Sequence, residues 1–237
     1  ELRVAVPPMG DFSFRRMLCD FAVKYPDVRL YIHVSSQHVD LQRGGFDVAL
    51  RAGTTFEPGL VIRKLHRSPV LAFAAPEYLA SHGTPKSVRD LRQHRCLMGF
   101  SKGEVPQTHW PLAGGSKVQV AGAMWSNEVS VLLDATLRGL GIAMLPLMLC
   151  ESQARAGTLV QVLPGILEAD SQVALVFADR ELVPPQVRAF VDSVAAWAEE
   201  GLPKPSPECT EKLRARKGAL KARAGRGEKA NAAGRKA

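Results

Sequence analysis

The sequence predicts an α/β fold built on mainly parallel sheets, with helices on both faces. Two observations carry this. Short apolar runs rich in Val, Ile and Leu take turns along the chain with segments whose apolar residues recur every three or four positions. The composition is also that of a packed globular chain: 237 residues, 46% hydrophobic, 20 Gly and 16 Pro, enough for one large domain or two small ones. Strands that alternate with helices pair in parallel and are covered by the connecting helices. In such sheets ligands lie beyond the carboxyl ends of the strands.

The elements follow in order. LRVAVP opens as a short buried strand, ended by Pro7 and Pro8. In SFRRMLCDFAVKYP, Phe14, Met17, Leu18, Phe21 and Ala22 share one face, so the segment reads as a helix. Asp11 or Ser13 would cap it and Pro26 would stop it. VRLYIHVSS alternates and is β-branched, a strand, and QHVDLQRGG is a short helix closed by glycine. FDVALRAG is the third strand. Gly44 and Gly45 release the chain from the helix, and Asp47 enters the strand. Val48 and Leu50 feed the core, and Arg51 to Gly53 lie at the carboxyl end. LVIRKLHRSPVLAFAAP holds one or two more strands.

PEYLASHG and SVRDLRQHRC read as short helices, the second capped by Ser87, and CLMGF and VQVAGAMWS as strands. NEVSVLLDATLRGLG is an amphipathic helix capped by Ser126 or Asn127 and ended by Gly139 or Gly141. IAMLPLML reads as a strand buried on both faces that runs into a helical LCESQARAG. LVQVLP and QVALVFA are strands. PPQVRAFVDSVAAWAEE is a final amphipathic helix with Pro184 and Pro185 in its first turn.

The net charge of +8 belongs to one region. Residues 202–237 hold 11 Lys/Arg and 3 Asp/Glu, and the remainder holds 20 of each sign. That basic segment has few large apolar residues and reads as a disordered tail, with a short helix around 210–222. It either adds nonspecific affinity for DNA phosphates or is a solvated extension. Cys19, Cys96, Cys150 and Cys209 are far apart and follow no CxxC spacing, so free thiols in a reducing cytosol are expected. The chain shows no signal peptide, no initiator Met and no apolar run of the ~20 residues that a membrane span needs. A missing N-terminal part is expected. The six His show no zinc spacing, and GxSxG, P-loop and dinucleotide fingerprints are absent. The expectation is therefore no catalytic constellation, no metal and no cofactor.

Four stretches, in order and with matching gaps, carry a family resemblance: FAVKYPDVRL, DLQRGGFDVALRAG, APEYLASHGTPKSVRDLRQHRC and GLGIAMLP. Over about residues 1–200 the chain resembles the effector-binding half of a LysR-type transcriptional regulator. The resemblance implies a type 2 periplasmic-binding-protein-like fold, with two Rossmann-like lobes joined by two crossover strands. Lobe one would be 1–71 plus 178–200 and lobe two 72–177, with VLAFAAP and VALVFADR as crossings and 201–237 as the tail. It implies a cytoplasmic homodimer or homotetramer without a membrane partner. Helix 13–25 and strand 28–35 of one subunit would pair with helix 129–138 of the other. It implies a small-molecule effector, and operator DNA read only through an N-terminal winged helix-turn-helix that this chain lacks.

Three helix starts, at 8–13, 35–39 and 126–129, would converge on the cleft, where free N–H groups favour an anion. By resemblance, ligand contacts fall at Pro8, Met9, Gly10 and Asp11; at Ser35, Ser36 and Gln37; at Arg51, Ala52 and Gly53; at Ser126 and Asn127; and at Pro146. Simple helix capping is the alternative for the polar ones. Asp11 departs from the family, which often has a hydroxyl residue near this position. A carboxylate there repels an anion unless Arg15 or Arg51 pairs with it, which leaves room for a cationic or zwitterionic effector. Arg51 reads equally as a surface residue or a partner of Asp47 or Asp11, and Trp110 and Trp125 as core or cleft wall. Two other classes share this scaffold: the solute-binding protein of a transporter, and an enzyme with an acid/base cluster in the cleft.

Overall fold

The structure is a computed structural model that describes residues 1–8, 12–35, 41, 45–53, 58–101, 105–178 and 183–201. In chain order these form β1 (Leu2–Val6), α1 (Phe12–Lys24), β2 (Leu30–Val34), β3 (Val48–Gly53), β4 (Leu60–Ala74), α2 (Pro76–His82), a 3-10 turn (Asp90–Gln93) and β5 (Cys96–Met98). There follow β6 (Phe100–Ser101), β7 (Val105–Pro106), β8 (His109–Pro111), β9 (Lys117–Gln119), β10 (Gly122–Trp125), α3 (Val129–Leu137), β11 (Ile142–Pro146), α4 (Leu147–Ala156), β12 (Val160–Gln161), β13 (Glu168–Ala178) and α5 (Pro185–Gly201). The expected helix in QHVDLQRGG falls mostly outside the described residues, as do Cys209 and the tail.

One sheet runs in the order β10-β5-β11-β4-β13-β3-β1-β2, with β12 also on β4. Within it, β1, β2 and β3 are mutually parallel, and so are β5, β10 and β11. β4 and β13 run antiparallel to each other from Leu60↔Ala178 to Leu71↔Glu168 and tie the two parallel sets together. Two α/β lobes joined by two crossover strands are the result. LVIRKLHRSPVLAFA is therefore one strand of 15 residues. Its length serves both lobes: its first part faces β13 alone, and its second part also takes β11 and β12.

Asp47 explains how β3 enters the sheet. Its Oδ2 accepts the Arg3 N–H at 2.9 Å, and its own N–H donates to the Arg3 carbonyl at 2.8 Å. The carboxylate thus extends the β1–β3 ladder by one rung. Gly45, just upstream, has a φ of 69°, which a glycine adopts without strain.

The core divides along the same line. Leu2, Val4, Phe14, Phe21, Val48, Leu50, Val173, Leu175 and Phe190 form one cluster, under α1 and α5. Edge-to-face ring pairs close it, Phe14 on Trp197 at 5.0 Å and Phe21 on Phe190 at 5.1 Å. Phe190 is fully buried, and its loss would cost about 3–5 kcal/mol. Two further clusters serve the other lobe, one around Tyr78, Met98 and Trp110, the other around Phe73, Leu132 and Leu145.

Four local expectations need correction. First, α3 begins at Val129 with Glu128 as N-cap, whose side chain accepts the Ser130 N–H at 3.2 Å, so neither Ser126 nor Asn127 caps it. Second, SVRDLRQHRC makes only the 3-10 turn, and Asp90 organises it: its Oδ2 accepts the N–H groups of Lys86 at 2.8 Å and Ser87 at 3.0 Å. Third, VQVAGAMWS breaks in two, because β9 forms a hairpin with β8 while β10 joins the main sheet. The Trp125 ring lies over Gly122 so closely that a Cβ there would sit 2.3 Å from it. Fourth, the strand in IAMLPLML stops at Pro146, and Leu147 already begins α4.

Candidate functional site

The register fixes where the carboxyl ends of the strands lie. Val6 is level with Val34, and Ala5 with Ala49, so Pro8, Ser35 and Arg51 to Gly53 sit at one edge of the first lobe. The Ser35 N–H donates to the Val6 carbonyl at 3.0 Å and ties two of these ends together. In the second lobe the Ser126 N–H donates to the Met98 carbonyl at 3.0 Å, so the ends of β5 and β10 meet. Asn127 follows, and Pro146 ends the neighbouring β11.

The two edges point at each other. β3 runs in the same direction as β4 and ends at Gly53, opposite Gln172, which in turn faces Arg67 of β4. β11 runs against β4 and ends at Pro146, opposite Val70. The two strands therefore advance head-on along opposite sides of the crossover pair. Measured along the strand direction, their ends stop three β4 residues apart, about 10 Å at ~3.3 Å per residue, with β4 and β13 between them. Pro8, Ser35, Arg51, Ala52 and Gly53 border this gap from one side, and Ser126, Asn127 and Pro146 from the other. Met9, Gly10, Asp11, Ser36 and Gln37 lie outside the described residues.

The side chains at these ends differ in what they are used for. The Ser126 Oγ accepts the Glu128 N–H and donates to the Glu128 carbonyl, both at 3.1 Å, so its hydroxyl closes a local turn. Arg51 is only 5% exposed, which removes the reading of it as a surface residue. Ala52 is exposed at the tip of β3. Trp110 is core, whereas Trp125 is 42% exposed and donates its Nε1–H to the Gln107 carbonyl at 3.1 Å.

Two contributors escape the sequence. Glu128 brings a carboxylate to the start of α3. Ser68, on β4 in the middle of the gap's floor, is buried, and its Oγ accepts the Met148 N–H at 3.0 Å. It caps α4 from 80 residues away, a role that the local sequence of α4 does not signal. Nearby, burial lowers the pKa of His66, with Glu151 opposing the shift. The thiols of Cys96 and Cys150 are buried, and burial pushes each up to about 12, so neither is a nucleophile near neutral pH. Among the described residues no three His, Cys, Asp or Glu side chains gather as a metal site, and no helix is long and apolar enough to cross a membrane.

Comparison with known proteins agrees with this architecture. A family model described as the LysR substrate binding domain matches residues 1–199. An HTH-type transcriptional regulator of Xanthomonas campestris pv. campestris is 32% identical over 197 residues, which cover 81% of this chain and 57% of that protein. The HTH-type transcriptional regulator DmlR of Escherichia coli is 31% identical over 203 residues, 82% of this chain and 66% of that one. The chain thus spans less than two thirds of either relative. CrgA, a LysR-type regulator of Neisseria meningitidis, superposes with a TM-score of 0.69 at 28% identity, over 83% of this chain and 68% of its own. The CrgA regulatory domain alone gives 0.65 at 27%, over 82% and 97%. Full-length AphB, a virulence activator of Vibrio cholerae, gives 0.68 at 28%, over 83% and 68%. The two lobes, the two crossover strands and the opposed strand ends are those of the type 2 periplasmic-binding-protein-like fold, and the chain belongs to the LysR substrate-binding-domain family.

Proposed function

We propose that this chain is the ligand-sensing and oligomerising part of a LysR-type transcriptional regulator that acts in the cytoplasm. A small-molecule effector binds in the gap between the lobes, and the response passes to an N-terminal winged helix-turn-helix that reads operator DNA. The observation that carries this reading is the head-on approach of β3 and β11 to the middle of β4, which leaves two sets of strand ends facing one space. The proposed contacts are Pro8, Met9, Gly10, Asp11, Ser35, Ser36, Gln37, Arg51, Ala52, Gly53, Ser126, Asn127 and Pro146. The relatives' role as HTH-type regulators argues for sensing over transport or catalysis.

The charges at the gap narrow the effector. A buried Arg51 on one side favours an acidic group, and Asp11, which lies outside the described residues, would favour a basic one. A zwitterionic metabolite meets both. It would act by binding the closed arrangement of lobes better than the open one, and only that difference in affinity shifts the population. We place the lobes at 1–71 plus 178–200 and 72–177. The pivot lies inside the crossover strands, since Val173, Leu175 and Phe177 pack with the first cluster.

A thermal-shift screen of amino-acid-like metabolites tests the reading. A ligand at one hundred times its dissociation constant adds about 2.7 kcal/mol of stability and raises the midpoint. Ala52→Trp, at an exposed strand tip, would fill the gap and abolish that shift without lowering the midpoint of the free protein. A shift that survives Ala52→Trp would place the ligand elsewhere.

A further inference from the structure

The edge of the second lobe opposite the gap carries a different chemistry. Here the chain enters β5 and β11 at their amino ends. Lys86, Arg89, Arg92, Arg95 and Arg138 all lie on this edge, and all five are exposed. Four exposed arginines elsewhere have a carboxylate neighbour: Arg3 has Glu1, Arg16 has Asp20, Arg67 has Asp170 and Arg155 has Glu151. None of the five belongs to any of those ion pairs. The nearest carboxylate in sequence, Asp90, is committed to the backbone N–H groups of Lys86 and Ser87 and to the Ser87 hydroxyl. Glu77 on α2 and Asp134 on α3 are the other acids on the neighbouring elements, so the five cations outnumber the carboxylates.

The platform under these charges is fixed. The Tyr78 hydroxyl accepts the Arg95 N–H at 2.8 Å, and the Ile142 N–H donates to the Arg95 carbonyl at 2.9 Å. Gly141 presses so close that a Cβ there would sit 2.3 Å from that carbonyl oxygen. Arg95 Nε donates to the Leu140 carbonyl at 3.1 Å, which joins the 89–95 segment to the end of α3, where Arg138 is the C-cap. Arg89 is the N-cap of the 3-10 turn and Arg92 lies within it, three residues on, the spacing that puts side chains on one face.

We propose that this edge is a phosphate-binding surface for duplex DNA, separate from any operator-reading domain. Clustered, exposed cations in none of the ion pairs among the described residues fit a polyanion, and a duplex presents one charge per ~1.7 Å. The choice of DNA rests on the regulator reading above. The test needs no effector, so its failure and the failure of effector sensing are distinguishable.

The experiment measures the affinity of the full chain for a 30-base-pair duplex of arbitrary sequence across a salt series. It compares K86Q/R89Q/R92Q with the control R16Q/R67Q/R155Q, which removes the same net charge at paired sites. The basic segment 202–237 is present in every variant and cancels from the comparison. The first triple variant is expected to lower the slope of log K against log salt by about 2.7, and Arg92→Gln alone by about 0.9. The control should leave the slope nearly unchanged. Equal losses in both triple variants, or no loss in the first, overturn the proposal. Tighter binding of polyglutamate than of duplex, abolished by K86Q/R89Q/R92Q, would make the partner an acidic polypeptide and overturn the assignment to DNA.

Discussion

The Tyr78 hydroxyl stands between the Arg95 backbone and the His94 ring. It accepts from the Arg95 N–H at 2.8 Å and shares a hydrogen bond with Nδ1 of the buried His94, 3.2 Å away. The pKa of His94 is lowered by burial first and by His82 second, with Asp90 opposing. The folded value lies below the ordinary one of about 6.5, so on acidification the unfolded chain binds a proton first. Stability is therefore full above about pH 6.5 and falls as pH drops towards the folded pKa. His66, lowered for the same reason, adds to the trend. The urea midpoint is expected to be lower at pH 5.5 than at pH 7.5, and His94→Gln should flatten part of that decline. At the same scale, sequence reasoning recognised Asp47 as the entry to a strand, but only the coordinates gave it a partner in the Arg3 backbone. Arg51 was marked as a site residue with its burial unknown, because burial is a property of the sheet that closes over it.

Elements were legible where periodicity was strong. The helix α1, the helix α5 and the strands β1 to β3 lie where their apolar spacing puts them. The failures share a physical cause, a contact distant in sequence that overrides a local signal. The sequence left one or two strands open in LVIRKLHRSPVLAFAAP, and β4 stays single through Pro69 with β13 paired beside it from Leu60 to Leu71. The β11 strand stops at Pro146, and Ser68 captures the next helix through the Met148 N–H. Ser68→Ala should destabilise the protein by about 1 kcal/mol, the usual worth of a helix cap, as read from its denaturant midpoint. An unchanged midpoint would mean that α4 finds another acceptor for that N–H. What looked like one strand is two because β9 pairs with β8 and β10 with β5, partners that no alternation pattern announces.

For the whole molecule, the outer strand β2 and two helices leave apolar side chains in solvent: Val23 81% exposed, Tyr31 48%, Ile32 43% and Val34 58% on one lobe, and Val131 41% on α3 of the other. An open strand edge with exposed apolar residues favours pairing with another copy. The antiparallel pairing that the family resemblance implies for a two-fold dimer would set these residues of one subunit against Val131 and α3 of the other. Light scattering should give a dimer for the native chain and a monomer for Ile32→Asp. A native monomer at high concentration would contradict this pairing. The central claim concerns the gap, and hydrogen exchange measures it directly on a metabolite found by thermal shift. The account predicts that the ligand slows exchange at the amides of 6, 34–35, 51–53, 126–129 and 147–148, the strand ends and helix starts on both sides. Protection confined to α1 and α5, or to one lobe alone, would contradict it.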